Sequence, residues 1–455
     1  MYVNKRINQK SMLKFVQKFK EIGSLQQFGL IHNNEVMVKF AVKPYEENDI
    51  KQLFSISKSF TAIAIGMAVD NRLIDIHDKV INFFPYNLPK VISENLAKME
   101  IYHLLTMTTG HSECTMARMS MCSDPIKGFF EAPLPYSPGT KFTYNTGASL
   151  ILSVIINIVT GMSLDEYLRP LFKALGINSY YYEKIGDICL GGVGLHLDIN
   201  ALLAFGKFLL NEGKVDGKQI VSKEFIKLAT SKQVDNDENG TLDWSQGYGF
   251  QIWMGEEGFR CDGAAGQLII VYPNRNMVIA VQAEVDNMQA EVNLIKALIN
   301  DLFGNEIIDD LEFRINDVYP VLSTNEFPYN SLSIKLNSND LNLESLEIIK
   351  DNALLMLIFN GENSFSIKAG NGDYEKSSFY ATGIKKKISA VMPVYYEESI
   401  VSCYYLFENN RLEVVMKNHN TPYVQSIDIE FDDNIVGLTI NGKKISGDII
   451  NKDDI

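Results

Sequence analysis

Four residues, Ser55-Ile56-Ser57-Lys58, carry a pattern that could do chemistry. A serine hydroxyl is a poor nucleophile until a neighbouring base takes its proton. If the segment is helical, Ser55 and Lys58 lie three residues apart on one face, with Cβ atoms roughly 5–6 Å apart. The run that follows, Ile63-Ala64-Ile65 and Met67-Ala68-Val69, is apolar enough to predict a largely buried helix. Burial and a helix N-terminus both disfavour an ammonium, which pushes Lys58 toward a usable base. The same N-terminal amides favour negative charge, so the Ser55 N–H can donate to an oxyanion. A second match, Ser11-Met12-Leu13-Lys14, falls on a segment that reads as an ordinary surface helix. There is no G-x-S-x-G, H-E-x-x-H or G-x-x-x-x-G-K-[ST]. The histidines at 32, 77, 103, 111, 196 and 419 show no metal-ligand spacing.

These residues must be positioned by the elements around them. Met12, Leu13, Phe15, Val16 and Phe19 recur at helical spacing in residues 9–21. FGLIHNNEVMVKFAV reads as a β-hairpin turning at Asn33-Asn34. Residues 75–240 are mostly helical in pattern, with DEYLRPLFKALG and ALLAFGKFLLNEG each closed by glycine. Strand patterns return at GYGFQIWMG, residues 247–255, and continue in a hairpin turning at Pro273–Asn276; residues 286–303 read as a helix. This order predicts an α/β (α+β) domain over residues 1–305. Its antiparallel sheet is assembled from both ends of the segment, flanked by helices and interrupted by a mostly helical insertion. Residues 306–455 change texture to short alternating runs such as SLSIKLN and RLEVVMK, with turn signals at Asn360-Gly361, Asn409-Asn410 and Asn441-Gly442. They predict a small all-β second domain, a barrel or a sandwich.

The composition narrows the partners. The formal net charge is -14 and the pI about 5.0, which disfavours nucleic acid and anionic membrane surfaces. Five cysteines without a C-x-x-C suggest neither a disulfide framework nor a zinc ribbon. The first twenty residues lack the apolar core of a signal peptide, and the apolar stretch near Leu150–Val159 is too short to span a bilayer. The expectation is a reduced, cytoplasmic protein.

Residues 53–74, LFSISKSFTAIAIGMAVDNRLI, resemble the nucleophile helix of the serine β-lactamase and penicillin-binding-protein superfamily, in the class C-like branch of esterases and D-aminopeptidases. IYHLLTMTTGH (101–111), SPGTKFTYNTGASLILSVIINIVTG (137–161), GGVGLHLDINALLAFGKFLLNEGKVDGKQIVS (191–222) and DGAAGQLIIVYPNRNMVIAV resemble further segments of that branch, in the same order. The resemblance spans about residues 25–305 and implies the roles that follow. Ser55 would attack a carbonyl and form an acyl-enzyme, with Lys58 as general base and Tyr144 relaying the proton. The backbone N–H groups of Ser55 and Ala264 would form the oxyanion hole. The polar position after the tyrosine falls on Thr146 or, with a one-residue shift, on Asn145. The third motif reads Cys261-Asp262-Gly263 where the family commonly has a carboxylate-binding lysine, so Asp262 could instead meet a cationic or hydroxyl-bearing group. Arg260, one position out, points to the face opposite Cys261 if the strand alternates. His111 and His196 sit beside loops that border the family site. The implied function is hydrolysis of a small ester or a D-amino-acid or peptide amide, with no metal or organic cofactor. A D,D-peptidase or true β-lactamase is the alternative, as is an inactive binding member of the family.

Overall fold

The computed structural model describes all residues except 237–242, 320, 322–324, 363, 380–398, 441 and 455. Helix α1 (Gln9–Phe19) begins at Asn8, whose side chain accepts from the Ser11 N–H, and buries Met12, Phe15, Val16 and Phe19. Lys14 projects from its exposed side, so the second S-x-x-K lies on a surface helix. Helix α2 (Ser57–Asp70) is different: every residue from Ser57 to Ala68 is buried. A helix apolar on all sides can only sit inside a protein.

A seven-stranded sheet lies beside these helices. Its strands are β1 (Tyr2–Val3), β2 (Gly23–His32), β3 (Glu35–Ala41), β4 (Trp253–Met254), β5 (Phe259–Gly263), β6 (Gln267–Tyr272) and β7 (Met277–Val285), in the order β1-β3-β2-β7-β6-β5-β4. The β2–β3 hairpin turns at Asn33 and Asn34, both at positive φ (52° and 65°). That is the backbone an Asn-Asn turn tolerates. At the centre β7 runs antiparallel to β2, from Met277 opposite His32 to Val285 opposite Gly23. The two ends of the segment thus meet in one sheet, and the helical block is an insertion between β3 and β4.

Alternation along β2 decides which helix each face receives. Phe28 packs against Phe15 of α1 with the rings tilted and their centroids 5.3 Å apart. The next residue, Gly29, faces Leu203 of a helix at Ile199–Leu210. Gly206 of that helix meets Val278 of β7, where a Cβ would lie 2.4 Å from Val278 Cγ1. Glycine here lets a helix settle directly on the sheet.

One expected strand is mostly a turn. Residues 247–255 fold back on themselves: the Gly249 N–H donates to the Ile252 carbonyl, and Tyr248 bridges Trp253, leaving Trp253–Met254 as the strand. Gln251 adopts φ +58° and sends its amide to the Leu104 and Leu105 carbonyls. Those buried hydrogen bonds outweigh the β propensity of the run.

Among the described residues, ten strands between Tyr329 and Asp454 form a closed barrel, antiparallel except at the contact that closes it. The last strand, Lys443–Asp454, pairs with the first, Tyr329–Leu336, and Gly370 meets Tyr404 to complete the ring. Closure makes this a barrel rather than a sandwich and removes sheet edges. Alternate residues fill it, among them Leu332, Ile334, Leu346, Ile348, Leu355, Leu357, Val414 and Ile429. Asn409 and Asn410 turn at positive φ. Asn360-Gly361 instead ends the strand Leu354–Gly361, because Phe359 pairs with Phe365 and the connection needs more than two residues. Of the Asn441-Gly442 signal, Asn441 lies outside the described residues, and Gly442 has φ +79°.

Two compact units result: Met1–Val42 with Glu46–Ile315, and Lys43–Tyr45 with Asn316–Ile455. Among the described residues no single helix is long and apolar enough to cross a membrane. One bent pair, Thr146–Thr160 with Leu164–Ala174, passes on length and composition, but its axis turns by 88°.

Candidate active site

The strand Lys51–Gln52 pairs with Leu195–Leu197, and the chain then turns sharply into α2. Phe54 takes φ +47°, a left-handed conformation costly for a bulky residue. Phe54–Ile56 form a single 3₁₀ turn, and Ser55 at its centre is half-buried. Strand β5 presses closely on this turn. A Cβ at Gly263 would lie 2.1 Å from the Leu53 carbonyl oxygen, so only glycine permits the approach.

Lys58 is 1 % exposed. Its Nζ donates to Ser55 Oγ at 2.9 Å and to the Gly192 carbonyl at 2.6 Å. Burial away from water pulls its pKa down to about 7, against a small opposing influence of Cys114. Near neutrality the amine is therefore partly unprotonated, with its hydrogen bond to Gly192 orienting it at the serine. Tyr144 completes the group. Its ring centroid is 5.0 Å from Lys58 Nζ, and its phenol lies close enough to interact with the Ser55 hydroxyl. Burial holds that phenol well above its ordinary range, so it remains a proton donor. Trp253 stacks on the Tyr144 ring at 5.3 Å. The site thus gathers a half-buried hydroxyl, a buried and partly neutral amine and a protonated phenol around one oxygen.

Side chains of α2 hold the Gly-rich loop that supplies the Gly192 carbonyl. Thr61 Oγ1 donates to the Gly191 carbonyl at 2.6 Å, and Tyr182 donates to the same oxygen at 3.3 Å. Gly191 and Gly194 both sit at positive φ, +65° and +90°. On the other side of Ser55, β4 pairs with β5 only at Phe259 and Arg260. Cys261, Asp262 and Gly263 therefore extend beyond β4, and Ala264 is the first residue past the strand.

The other sequence candidates take varied positions. Asn145 is fully buried and caps a helix at Thr146–Thr160; its Oδ1 accepts from the Gly147 N–H, the Thr115 N–H and the Thr115 hydroxyl. Its carboxamide oxygen anchors the 115 loop. Thr146 presents its methyl to Gly192, where a Cβ would lie 2.7 Å from Thr146 Cγ2. Asp262 is buried in an ion pair with Arg260 at 3.3 Å, and desolvation raises its carboxyl pKa. Arg260 also reaches Asp243 at 3.6 Å. Cys261 points to the opposite face of β5, toward Ser59, and burial pushes its thiol up to about 12. His111 is buried between Thr109 Oγ1 (2.8 Å) and the Phe129 carbonyl (3.4 Å), and burial pulls it down to about 4. His196 is buried against Glu183, 2.9 Å away. Both histidines are buried and hydrogen-bonded.

Several contributors were not singled out from sequence. Gly192 acts through a backbone carbonyl, which leaves no mark in residue type. Trp253 was read only as part of a strand. Ser57, inside the S-x-x-K itself, bridges two segments through its hydroxyl. Glu291 is fully buried, with neither carboxyl oxygen bonded, and burial raises its pKa well above normal. An acidic residue beside Val292 and Ile295 was the available signal for that position. Among the described residues no group of three or more His, Cys, Asp or Glu side chains could hold a metal ion.

A family model described as Beta-lactamase matches residues 26–300. This chain belongs to the β-lactamase family. An uncharacterized protein of Alkalihalophilus pseudofirmus is 25% identical over 296 residues, covering 56% of this chain and 82% of that one. Among solved structures, a 6-aminohexanoate-dimer hydrolase candidate from Bacillus anthracis aligns with a TM-score of 0.53 at 21% identity, over 62% of this chain and 80% of its own. The octameric penicillin-binding protein homologue from Pyrococcus abyssi aligns with a TM-score of 0.52 at 16% identity, over 96% of this chain and 99% of its own. That last likeness in fold extends through the barrel as well as the β-lactamase domain.

Proposed function

We propose that this chain is a serine hydrolase that cleaves an ester or amide bond through an acyl-enzyme on Ser55. The observation that carries the reading is the 2.9 Å bond between a buried, partly neutral Lys58 and Ser55 Oγ. Lys58 takes the serine proton as Oγ attacks the substrate carbonyl. The N–H groups of Ser55 and Ala264 receive the oxyanion. Tyr144, held protonated, passes a proton to the departing alcohol or amine. Water then attacks the acyl-enzyme, with the same groups moving protons in reverse.

The surroundings favour a substrate that does not rely on a cation for its carboxylate. The third motif offers Cys261, whose thiol faces Ser59, and Asp262, which is tied to Arg260. Arg260 is shared between two aspartates, so its charge is already answered. A small ester, or a D-amino-acid or peptide amide, fits this better than a β-lactam.

A fluorophosphonate probe is expected to add covalent mass to the native protein and none to Ser55→Ala. Absence of labelling at high probe excess would overturn the proposal. A comparison of short-chain esters, D-alanyl amides and a chromogenic cephalosporin would then rank the substrate classes, with the cephalosporin expected last.

A further inference from the structure

Ser57 lies between the nucleophile and the base, and its hydroxyl touches neither. It donates to the Phe54 carbonyl at 2.6 Å and accepts the Leu195 N–H at 3.1 Å. The side chain is completely buried, so water cannot replace either bond. The Phe54 carbonyl also receives the backbone N–H of Ser57. Two donors from one residue therefore hold one carbonyl.

That carbonyl belongs to the Phe54–Ser55 peptide. A trans peptide is planar, with C=O and N–H on opposite edges. Fixing the Phe54 oxygen toward Ser57 fixes the Ser55 N–H to point the other way. The Ser55 N–H is one of the two donors assigned to the oxyanion. Phe54, at φ +47°, is the residue whose torsions would relax most readily if the peptide were released. The second bond matters equally. Leu195 directly follows the Gly-rich loop, and its carbonyl accepts the Leu53 N–H at 2.8 Å. One hydroxyl thus joins the strained turn to the strand behind it.

We infer that Ser57 is a positioning residue that aims the Ser55 N–H at the oxyanion by holding the Phe54–Ser55 peptide. The inference rests on Ser55 being the acylated residue. Lys58 keeps its own partners, Ser55 and Gly192, when the Ser57 hydroxyl is removed. Loss of Ser57 should therefore weaken transition-state stabilisation and leave the base intact.

The test uses the full-length protein with Ser57→Ala and Ser57→Thr, on p-nitrophenyl acetate and a boronic acid that mimics the tetrahedral intermediate. Ser57→Ala is expected to lower kcat/KM by about tenfold to a hundredfold, less than outright deletion of an oxyanion donor. Boronate affinity should fall by a similar factor, KM should stay within about twofold, and the acid limb of the pH profile should keep its midpoint. Ser57→Thr, which retains the hydroxyl, should recover most of the rate. Unchanged kcat/KM and boronate binding in a folded Ser57→Ala would overturn the inference, as would a displaced acid limb, which would mean that the base had moved. If Ser57→Ala does not fold, Ser57→Thr decides: wild-type boronate affinity supports the assignment, and a loss comparable to the alanine expectation overturns it. A native protein that fluorophosphonate never labels would instead remove the acyl-enzyme reading itself.

Discussion

A lysine that deprotonates a serine must shed its own proton at working pH, and the environment of Lys58 works in that direction. With the pKa lowered to about 7, the ammonium predominates in acid and cannot accept the Ser55 proton. Ester hydrolysis should therefore fall about tenfold per pH unit well below 7 and level off above it. Tyr144, its phenol held high by burial, stays protonated across that plateau and adds no fall of its own near neutrality. Lys58→Ala should lose roughly 10²-fold or more in kcat/KM and abolish the acid limb, as pH–rate profiles would show. A limb that survived in the variant would belong to another group. Glu291 and Asp262 carry raised pKa values by the same cause, burial, though neither bonds to Ser55 or Lys58.

The local geometry of the site depends on how closely two elements approach. Strand β5 comes so near the turn that carries Ser55 that Gly263 has no room for a side chain. The approach brings the end of β5 against the turn that carries Ser55. Gly263→Ala would force a methyl to within 2.1 Å of the Leu53 carbonyl, and one of the two elements must move. A displacement near 1 Å is enough to cost about 10²-fold in rate. The variant should lose activity on that scale and bind the boronate more weakly, with a thermal midpoint lowered by several degrees. A Gly263→Ala protein of native rate would show that the turn and β5 act separately.

At the scale of the whole molecule, two units with separate cores carry the chain. The barrel core has its own set of buried residues, including Leu357 at 0 % exposure. Leu357→Ala should destabilise the barrel by about 2–5 kcal/mol, the usual range for such a truncation. Calorimetry should show the loss in one unfolding transition, and ester hydrolysis at low temperature should stay at the native rate. A single transition shifted as a whole, with activity lost in parallel, would instead join the units into one cooperative block.

Much of this was readable from residues alone, for definite physical reasons. Ser55 and Lys58 were legible because a three-residue spacing and an apolar run are properties of the chain itself, and burial of α2 follows from them. The Asn33-Asn34 hairpin and the alternating strands of the second half were legible because local backbone and side-chain preferences determine them. Other features required the tertiary structure. The run 247–255 looked like a strand, yet long-range hydrogen bonds from Gln251 turn it back. Barrel or sandwich could not be chosen until Gly370 met Tyr404, because closure is a relation between distant strands. Asn145, His111 and His196 had polar side chains suited to a site, and only the fold shows that all three are buried, with Asn145 Oδ1 held by Thr115 and His196 by Glu183. Gly192 and the Phe54–Ser55 peptide act through backbone atoms that every residue possesses. Residue type and spacing determined which groups could react. Which way those groups point, and what their neighbours leave free, depended on contacts between segments far apart in the chain.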